Sequence, residues 1–372
     1  MKLIKGDGPC FYTAGRRKMI DFTSGGIFTA ILGNSPDIIR QAAEEVELAS
    51  CYMAHHTNPW TLRYIDMLKE WTGFESVALF SAGTEATEAL WRACRTYSGK
   101  PGVWGGLVDP DMVGHDTEAV ADAMHGMTNG ALVMAGSMTE PALGSAKFGG
   151  VPDYTGCMIM EPYHAPSAQF HRVDPTINRI LAHQKEHDHI PLCVDEIQGG
   201  FGRTGKKWAH QWYEGLKPDF ITIGKAAGNG APLSALLGPK KIMESEDVLD
   251  HGHLHSTHSG WPLACAIGCH VIEEIENHDL ISRSHNLGVY LKNQLDGCGV
   301  RFHAGRGLLA GFEFEDAKQA DKVARVCQRS GLLVVPTHRK WVKIGPALTI
   351  LEEDLETGIN IIRDSIAEVM DV

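Results

Sequence analysis

In three short segments, an apolar run is followed directly by residues that could take part in chemistry: a turn of small residues, an aspartate, or a glycine and a lysine. The run VALF (77–80) precedes the small-residue turn SAGTE (81–85), PLCV (191–194) precedes Asp195, and FITI (220–223) precedes Gly224 and Lys225. A buried ammonium or carboxylate without a partner is costly. We therefore expect Asp195 and Lys225 to serve a specific ligand or partner, and each has an ordinary alternative: a helix-capping aspartate and a lysine that reaches solvent.

The pattern of apolar runs and helical segments places these groups at one edge of a sheet. Continuous apolar strands that alternate with helices, such as 83–97 and 262–277, predict an α/β fold with a doubly wound, mostly parallel sheet covered on both faces. Ligands of such sheets bind beyond the carboxyl ends of the strands. The three segments are therefore expected to meet around one ligand.

The pattern of predicted strands and helices changes after about residue 280. Strand patterns VRFH, LLAGFEFE, LLVVP and KWVKIG are separated by helical segments there, and the N-terminal piece has strand and turn character. This predicts a large α/β domain over residues 36–279. Residues 1–35 together with 280–372 are expected to form a smaller α+β domain.

Composition limits the partners of the protein. The chain has 372 residues with 34 basic and 46 acidic side chains, and its net charge of −12 repels nucleic acid and anionic membrane surfaces. Nine scattered cysteines, several inside apolar runs, are typical of reduced thiols. With no long apolar stretch, the sequence indicates a cytoplasmic protein without a membrane segment.

The three segments together predict one cofactor. The free amides that open a helix at Gly83, Thr84 and Glu85 can hold a phosphate, although many helices start at such a turn. A carboxylate at Asp195 can keep a basic ring nitrogen protonated, and the amine of Lys225 can form a Schiff base with a carbonyl and then shuttle protons. A ligand with all three groups is pyridoxal 5′-phosphate.

Ordered motifs along most of the chain resemble the class III aminotransferases, in the fold type I group of pyridoxal-phosphate enzymes. The motifs are IDFTSGG, SAGTEATEA, MEP, VDEIQGGFGRTG, ITIGKAAGNGAPL, HSTHSGWPLACA and KIGPALTI. The resemblance implies the fold type I architecture. It also implies an aminotransferase acting on a primary amine or amino acid and a carbonyl acceptor, with pyridoxal phosphate as cofactor.

The resemblance also assigns roles to residues. It implies that the turn Ala82, Gly83 and Thr84 binds the phosphate, Asp195 the ring nitrogen, Gln198 the ring hydroxyl and Lys225 the aldehyde. Thr257 resembles the family threonine that reaches the phosphate of the neighbouring subunit, which implies a homodimer with shared active sites. The stacking aromatic of the family has two candidate positions here, Trp104 and, in another register, Met112.

Some positions depart from the family pattern. Lys343 and Pro166 stand where the ornithine-type members have an arginine that binds substrate carboxylate and a glutamate that pairs with it. Lysine is a point charge without the planar fork of arginine, so bidentate capture of a carboxylate is lost. This weakens the expectation that 2-oxoglutarate is the co-substrate.

Other functions stay open at this level. The N-terminal motif is also similar to dialkylglycine decarboxylase, with Gly26 in place of a glutamine, and glutamate-1-semialdehyde aminomutase is another similar enzyme. The same lysine and aspartate would support a decarboxylase or an aminomutase acting on a bulky or tethered amino acid. A non-catalytic protein that binds pyridoxal phosphate is disfavoured, because Lys225, Asp195 and Gln198 are all present.

Two further groups of residues have alternative interpretations. The spacing in HGHLHSTH (251–258) suits a metal site, but we interpret this segment as the phosphate-contacting loop of the dimer partner and expect no metal. Glu161, before Pro162, is either a buried structural carboxylate or part of the pocket.

Overall fold

The computed structural model describes residues 1–47, 58–100, 102–105, 155–163, 190–303 and 305–370, with the single positions Ala168, Phe170, Ile177, Asn178 and Leu181. The strands are β1 (Leu3–Asp7), β2 (Cys10–Thr13), β3 (Lys18–Asp21), β4 (Ser76–Phe80), β5 (Gly102–Gly105), β6 (Thr155–Met160), β7 (Leu192–Asp195), β8 (Phe220–Ile223), β9 (Ser234–Gly238), β10 (Arg301–His303), β11 (Ala310–Glu313), β12 (Leu332–Leu333), β13 (Val335–Pro336) and β14 (Trp341–Ile344).

The α-helices lie between these strands and at the end of the chain. They are α1 (Pro36–Glu45), α2 (Pro59–Thr72), α3 (Gly83–Ser98), α4 (Lys240–Met243), α5 (Glu246–Asp250), α6 (Pro262–Asn277), α7 (Leu280–Leu295), α8 (Ala317–Ser330) and α9 (Glu352–Met370). Among the helices described, none is both long enough and apolar enough to cross a bilayer.

The largest sheet has six strands in the order β4-β9-β8-β7-β6-β5. Strands β5 to β8 pair in parallel, and β9 runs antiparallel to both of its neighbours, β4 and β8. Every residue of β6 to β9 is buried, which explains why these strands are continuous apolar runs and not alternating ones. The prediction of a mostly parallel sheet is confirmed.

Two smaller sheets contain the N-terminal segment and the last third of the chain. Their strand orders are β1-β2-β3-β12 and β10-β11-β14-β13. Strand β3 pairs in parallel with β12, so that Ile20 lies beside Leu332 and Asp21 beside Leu333. The first twenty residues are therefore bound to a strand more than three hundred positions later.

Helix α3 begins directly after β4 and packs against the large sheet. Its apolar face includes Ala86, Leu90 and Cys94, all buried, and it ends at Gly99, whose φ of 68° closes the helix in the left-handed conformation. Because the helix packs on the sheet through this face, its N-terminus is fixed at the carboxyl edge of the sheet.

A buried arginine joins the loop after β7 to three distant segments. Arg203 is fully buried, and its guanidinium donates to the Oγ of Ser24 at 3.0 Å, to the carbonyl oxygen of Leu308 at 3.3 Å and to that of Pro346. Hydrogen bonds from a charged donor are among the stronger ones in proteins. They hold the segments after β3, before β11 and after β14 against the large sheet.

Candidate active site

Four polar groups meet where the strands of the large sheet end. The turn at Ser81 follows β4, Glu161 follows β6, Asp195 is the last residue of β7, and Lys225 follows β8 by two positions. These four strands run in the same direction, so their carboxyl ends share one edge. The sequence-based expectation that the strand ends converge agrees with this arrangement.

A cavity of about 330 Å³ opens at this edge. Its wall combines the start of α3 (81–84), Ile197, Lys225, the segment 230–233 before β9, and Thr29 from the loop after β3. The volume lies at the lower end of the range for small-molecule sites. Lys225 and the helix start therefore face the same space.

The start of α3 offers two amides to an anion. The carboxylate of Glu85 accepts the N–H of Ser81 at 2.8 Å and that of Ala82 at 3.1 Å, and it also accepts the hydroxyl of Ser256 at 2.9 Å. The N–H groups of Gly83 and Thr84 have no acceptor within the helix, as at any helix start. Ala82 lines the cavity, but its amide is engaged, so the free donors are those of Gly83 and Thr84.

Gly83 is needed for close packing as well as for its amide. A Cβ placed on Gly83 would lie 2.4 Å from the Cδ1 of Ile197, which forms one wall of the cavity. Ile197 follows the β7 aspartate by two positions, and its backbone N–H donates to Asp195. The helix start and the loop after β7 therefore determine the width of the site together.

Asp195 has one oxygen with a partner and one without. Its Oδ1 accepts the N–H of Ile197 at 2.9 Å, whereas the buried Oδ2 has no hydrogen-bond partner among the described residues. Burial raises the pKa of this carboxyl to about 7, against the opposing effects of the Ile197 hydrogen bond and of Lys225. A charged N–H donor would supply the hydrogen bond that this buried oxygen lacks.

Lys225 lies on a constrained turn. Its φ is 44°, in the left-handed region that side-chain-bearing residues rarely adopt. The turn is held by Asn229, whose side chain accepts the N–H of Leu32 at 2.9 Å and donates to the carbonyl oxygen of Gly33 at 3.2 Å. Burial lowers the pKa of the Lys225 ammonium, while Asp195 and Glu161 raise it.

A second layer of buried groups lies beside Asp195 and Lys225. Glu161 is buried, and its Oε2 has no hydrogen-bond partner among the described residues. Burial, and then the charge of Asp195, raises the pKa of Glu161 well above its usual range. Lys343 donates to the Oε1 of Gln198 at 3.3 Å, and burial lowers its pKa to about 7, reinforced by Lys225. Glu161 is not among the described residues that line the cavity, so it is a buried carboxylate whose charge acts on Lys225 from behind the wall.

The remaining predicted residues are placed as follows. Gln198 is buried three positions after Asp195. Thr257 is exposed, in the turn before α6, and it does not belong to the cavity wall formed by a single chain. The backbone of Trp104 lies in β5 beside Met158, but its side chain falls outside the described part, as do Met112 and Pro166 altogether.

Three side chains that line or support the cavity were not predicted from the sequence: those of Thr29 and Ile197, and the carboxylate of Glu85. Ile197 could have been inferred from its place two residues after the strand-end aspartate. Thr29 belongs to a segment almost two hundred positions from Lys225, and only the folded chain brings it there.

These features fit pyridoxal phosphate. The amides of Gly83 and Thr84 suit a phosphate, the Oδ2 of Asp195 suits a protonated ring nitrogen, and the amine of Lys225 faces the same cavity as the helix start. Ile197 packs directly on Gly83 and lines the same cavity, so it offers an apolar surface on which the cofactor ring can lie.

Comparisons with known proteins agree with this chemistry. The family model "Aminotransferase class-III" matches residues 151–366. The chain is 31% identical to the mitochondrial acetylornithine aminotransferase of Eremothecium gossypii, over 99% of the chain and 91% of the relative. It is 26% identical to the LysW-aminoadipate semialdehyde/glutamate semialdehyde transaminase of Sulfolobus acidocaldarius, over 99% of the chain and 95% of the relative.

A solved structure shows the same fold. The ornithine aminotransferase of Toxoplasma gondii superimposes with a TM-score of 0.78, covering 100% of this chain and 91% of that one, at 21% sequence identity. At this identity the likeness concerns the fold. It is the α/β architecture of fold type I, as predicted from the motifs.

The pKa of Asp195 predicts a pH-dependent stability of the protein without cofactor. The folded-state pKa of about 7 lies above the ordinary value of 3.8, so folding is most favoured where Asp195 is protonated, and stability falls as the pH rises from about 4 towards 7. Asp195→Asn removes this loss. Between about pH 5 and 8, the unfolding free energy of the variant should rise relative to the wild type by on the order of 2 kcal/mol.

Urea unfolding of both proteins at the two pH values measures this difference. Asp66→Asn, the same change on the exposed face of α2, is the matched control. If Asp195→Asn keeps the same stability difference from the wild type at both pH values, then Asp195 is not a carboxylate destabilised by burial.

Proposed function

Because this chain belongs to the class III aminotransferases, it is a pyridoxal-phosphate-dependent transaminase, and we propose that Lys225 is the residue that binds its cofactor covalently. The observation that supports this proposal is the shared cavity of Lys225 and the start of α3. At the end of the neighbouring strand β7, Asp195 has an oxygen that no described residue pairs with. Amino transfer needs a nucleophilic amine, an anion site and a buried carboxylate, and these three are adjacent.

We assign the binding roles as follows. The N–H groups of Gly83 and Thr84 hold the phosphate, the Oδ2 of Asp195 accepts the N–H of the ring nitrogen, and Gln198 donates to the ring hydroxyl. Trp104 is the proposed stacking residue. When bound, pyridoxal phosphate supplies a conjugated ring that accepts the electrons released at the substrate carbon.

The residues of the chain then act on protons and charge. Burial of the Lys225 ammonium lowers its pKa, so more of the amine is in the neutral, nucleophilic form at neutral pH. When the amine of a substrate takes its place, the freed Nζ of Lys225 would accept the proton from the substrate carbon as a general base and then return it as a general acid. Asp195, ionised when a cation faces its Oδ2, stabilises positive charge on the ring nitrogen.

The proposed substrates are a primary amine or amino acid and a carbonyl acceptor. The relatives are named for acetylornithine and for aminoadipate or glutamate semialdehyde, which supports a substrate with an amine at the end of a carbon chain. A panel of such amines with mass detection of the products tests this. Release of carbon dioxide or isomerised amine in place of a carbonyl product would contradict it.

We also propose a division into two domains, residues 36–279 and residues 1–35 with 280–372. The pairing of β3 with β12 supports it, because it joins the N-terminal segment to the last third of the chain. Limited proteolysis is expected to cut near residues 35 and 279. Cuts confined to the middle of 36–279 would argue against this division.

A cytoplasmic location is proposed on the basis of the cysteines. All eight cysteines in the described part are free thiols, and seven of them are buried. Free thiols are typical of a reducing compartment. Cell fractionation that recovered the protein outside the cytoplasm would contradict this location.

Covalent attachment to Lys225 predicts a specific result on chemical reduction. Borohydride fixes an imine as a stable amine, so peptide mass mapping of the reduced protein should find the cofactor mass on the peptide that contains Lys225. Lys225→Ala should lose both this mass and the amino-transfer activity, by at least about a thousandfold in kcat/KM. Lys240→Ala, the same substitution at an exposed lysine, is the control.

Two results would contradict this assignment. If the reduced wild type carries the cofactor on another lysine, or if Lys225→Ala still yields a reduced adduct and full activity, Lys225 is not the attachment residue.

We propose further that the protein is a homodimer in which Thr257 contacts the phosphate of the partner's cofactor. The exposure of Thr257 in a single chain, away from the cavity wall, supports this role. Coexpressed Lys225→Ala and Thr257→Ala chains should then form mixed dimers with one intact site, and these should regain roughly half of the wild-type activity per dimer. A monomer by sedimentation, or mixed dimers with no gain over the parents, would contradict it.

A further inference from the structure

Lys343 lies behind the cavity, where its amine meets Gln198. It is central in β14, paired with Gly311 of β11 on one side and Val335 of β13 on the other. Only 5% of Lys343 is exposed, and its Nζ lies 3.3 Å from the Oε1 of Gln198. Neither Lys343 nor Gln198 lines the cavity itself, and the Nζ of Lys343 is directed at the glutamine.

Phe28 supports this position. The ring centroid of Phe28 lies 5.4 Å from the Nζ of Lys343 and 5.6 Å from the guanidinium carbon of Arg203, so both cations contact one ring. The backbone of Phe28 is left-handed, with φ at 58°, and its ring fills the space that a Cβ on Gly345 would need. A buried aromatic ring thus contacts the Lys343 amine and helps to hold it in place.

The direction of the hydrogen bond determines the orientation of the Gln198 amide. A lysine amine of either charge donates readily, and the ammonium cannot accept at all. When Lys343 is an ammonium, the side of Gln198 that faces it must be the carbonyl oxygen, as in the 3.3 Å contact from Nζ to Oε1. The NH₂ group of the amide then points away from Lys343 and is available as a donor.

We propose that Lys343 is a positioning residue that acts through Gln198, fixing the amide so that its NH₂ donates to the ring hydroxyl of the cofactor. This inference rests on the proposed cofactor site. It gives Lys343 a role different from the capture of a substrate carboxylate. A lysine already bonded to Gln198 and buried against Phe28 is poorly placed to bind a carboxylate in the cavity.

Charged groups from several elements surround Lys343 and Gln198, and their titration contributes to any pH profile of the site. Glu161 follows β6, Asp195 ends β7, Lys225 follows β8 and Arg203 shares the Phe28 ring. Burial lowers the pKa of Lys343 to about 7, the charge of Lys225 lowers it further, and Glu161 opposes both effects. Comparison of variants at one set of pH values separates Lys343 from these neighbours.

The test is a spectroscopic titration of the loaded enzyme. The visible band of the cofactor attached to Lys225 is followed against pH in the wild type, Lys343→Met, Gln198→Leu and the double variant. An amide NH₂ aimed at the ring oxygen stabilises negative charge there and eases loss of the proton shared with the Lys225 nitrogen. Lys343→Met should therefore raise the pH midpoint of the band by about one unit.

The double variant shows whether Lys343 acts through Gln198. In the Gln198→Leu background, adding Lys343→Met should move the midpoint by less than about 0.3 unit, because the group it orients is gone. Lys343→Arg, which keeps a donor, should move the midpoint back towards the wild type. Methionine is chosen because it fills a buried lysine site without a polar atom.

Two results would overturn the inference. One is an equal midpoint shift in both backgrounds, which would indicate a direct charge effect. The other is an unchanged midpoint with a raised KM only for amines that carry a carboxylate, which would make Lys343 a substrate-binding residue. A wild type without cofactor on Lys225 after borohydride reduction would instead overturn the proposed function.

Discussion

The burial of opposite charges at one edge of the large sheet is the constraint on which the site depends. Each of the residues Glu161, Asp195, Lys225 and Lys343 has its pKa shifted by the charge of at least one other of the four, and burial disfavours the charged form of each. Two oxygens in this group, one on Asp195 and one on Glu161, are buried without a partner in the described part of the chain. Such an arrangement is unfavourable by itself and becomes favourable when a cationic donor enters.

The fold supplies this arrangement with ordinary elements. Parallel strands bring distant positions to one edge, the end of β4 places a helix start opposite Lys225, and Gly83 leaves room for Ile197. Buried hydrogen bonds then tie the loops of the site to remote segments. Asn229 holds the Lys225 turn to residues 32 and 33, and Arg203 joins the loop after β7 to the two smaller sheets. Pre-organisation of this kind allows a strained residue such as Lys225 to persist.

The sequence predicts much of the fold and part of the site. The apolar runs of β4 and β6 to β9 and the periodic helices α3 and α6 lie within a residue or two of where the patterns put them, because burial on both faces leaves a strong signal. Asp195 and Lys225 stand out because they follow such runs. The contacts of Lys343 with Gln198 and Phe28 are not predictable in this way. They depend on how β14 and the loop after β3 pack on the large sheet, which no local pattern records.

The central claim is that the Oδ2 of Asp195 holds a protonated ring nitrogen, and the ¹⁵N chemical shift of that nitrogen tests it most directly. In wild-type enzyme loaded with ring-labelled pyridoxal phosphate, we predict the shift of a protonated nitrogen at about pH 7 to 8, and loss of that proton in Asp195→Asn. An unprotonated nitrogen in the wild type, or a protonated one in both proteins, would contradict the account.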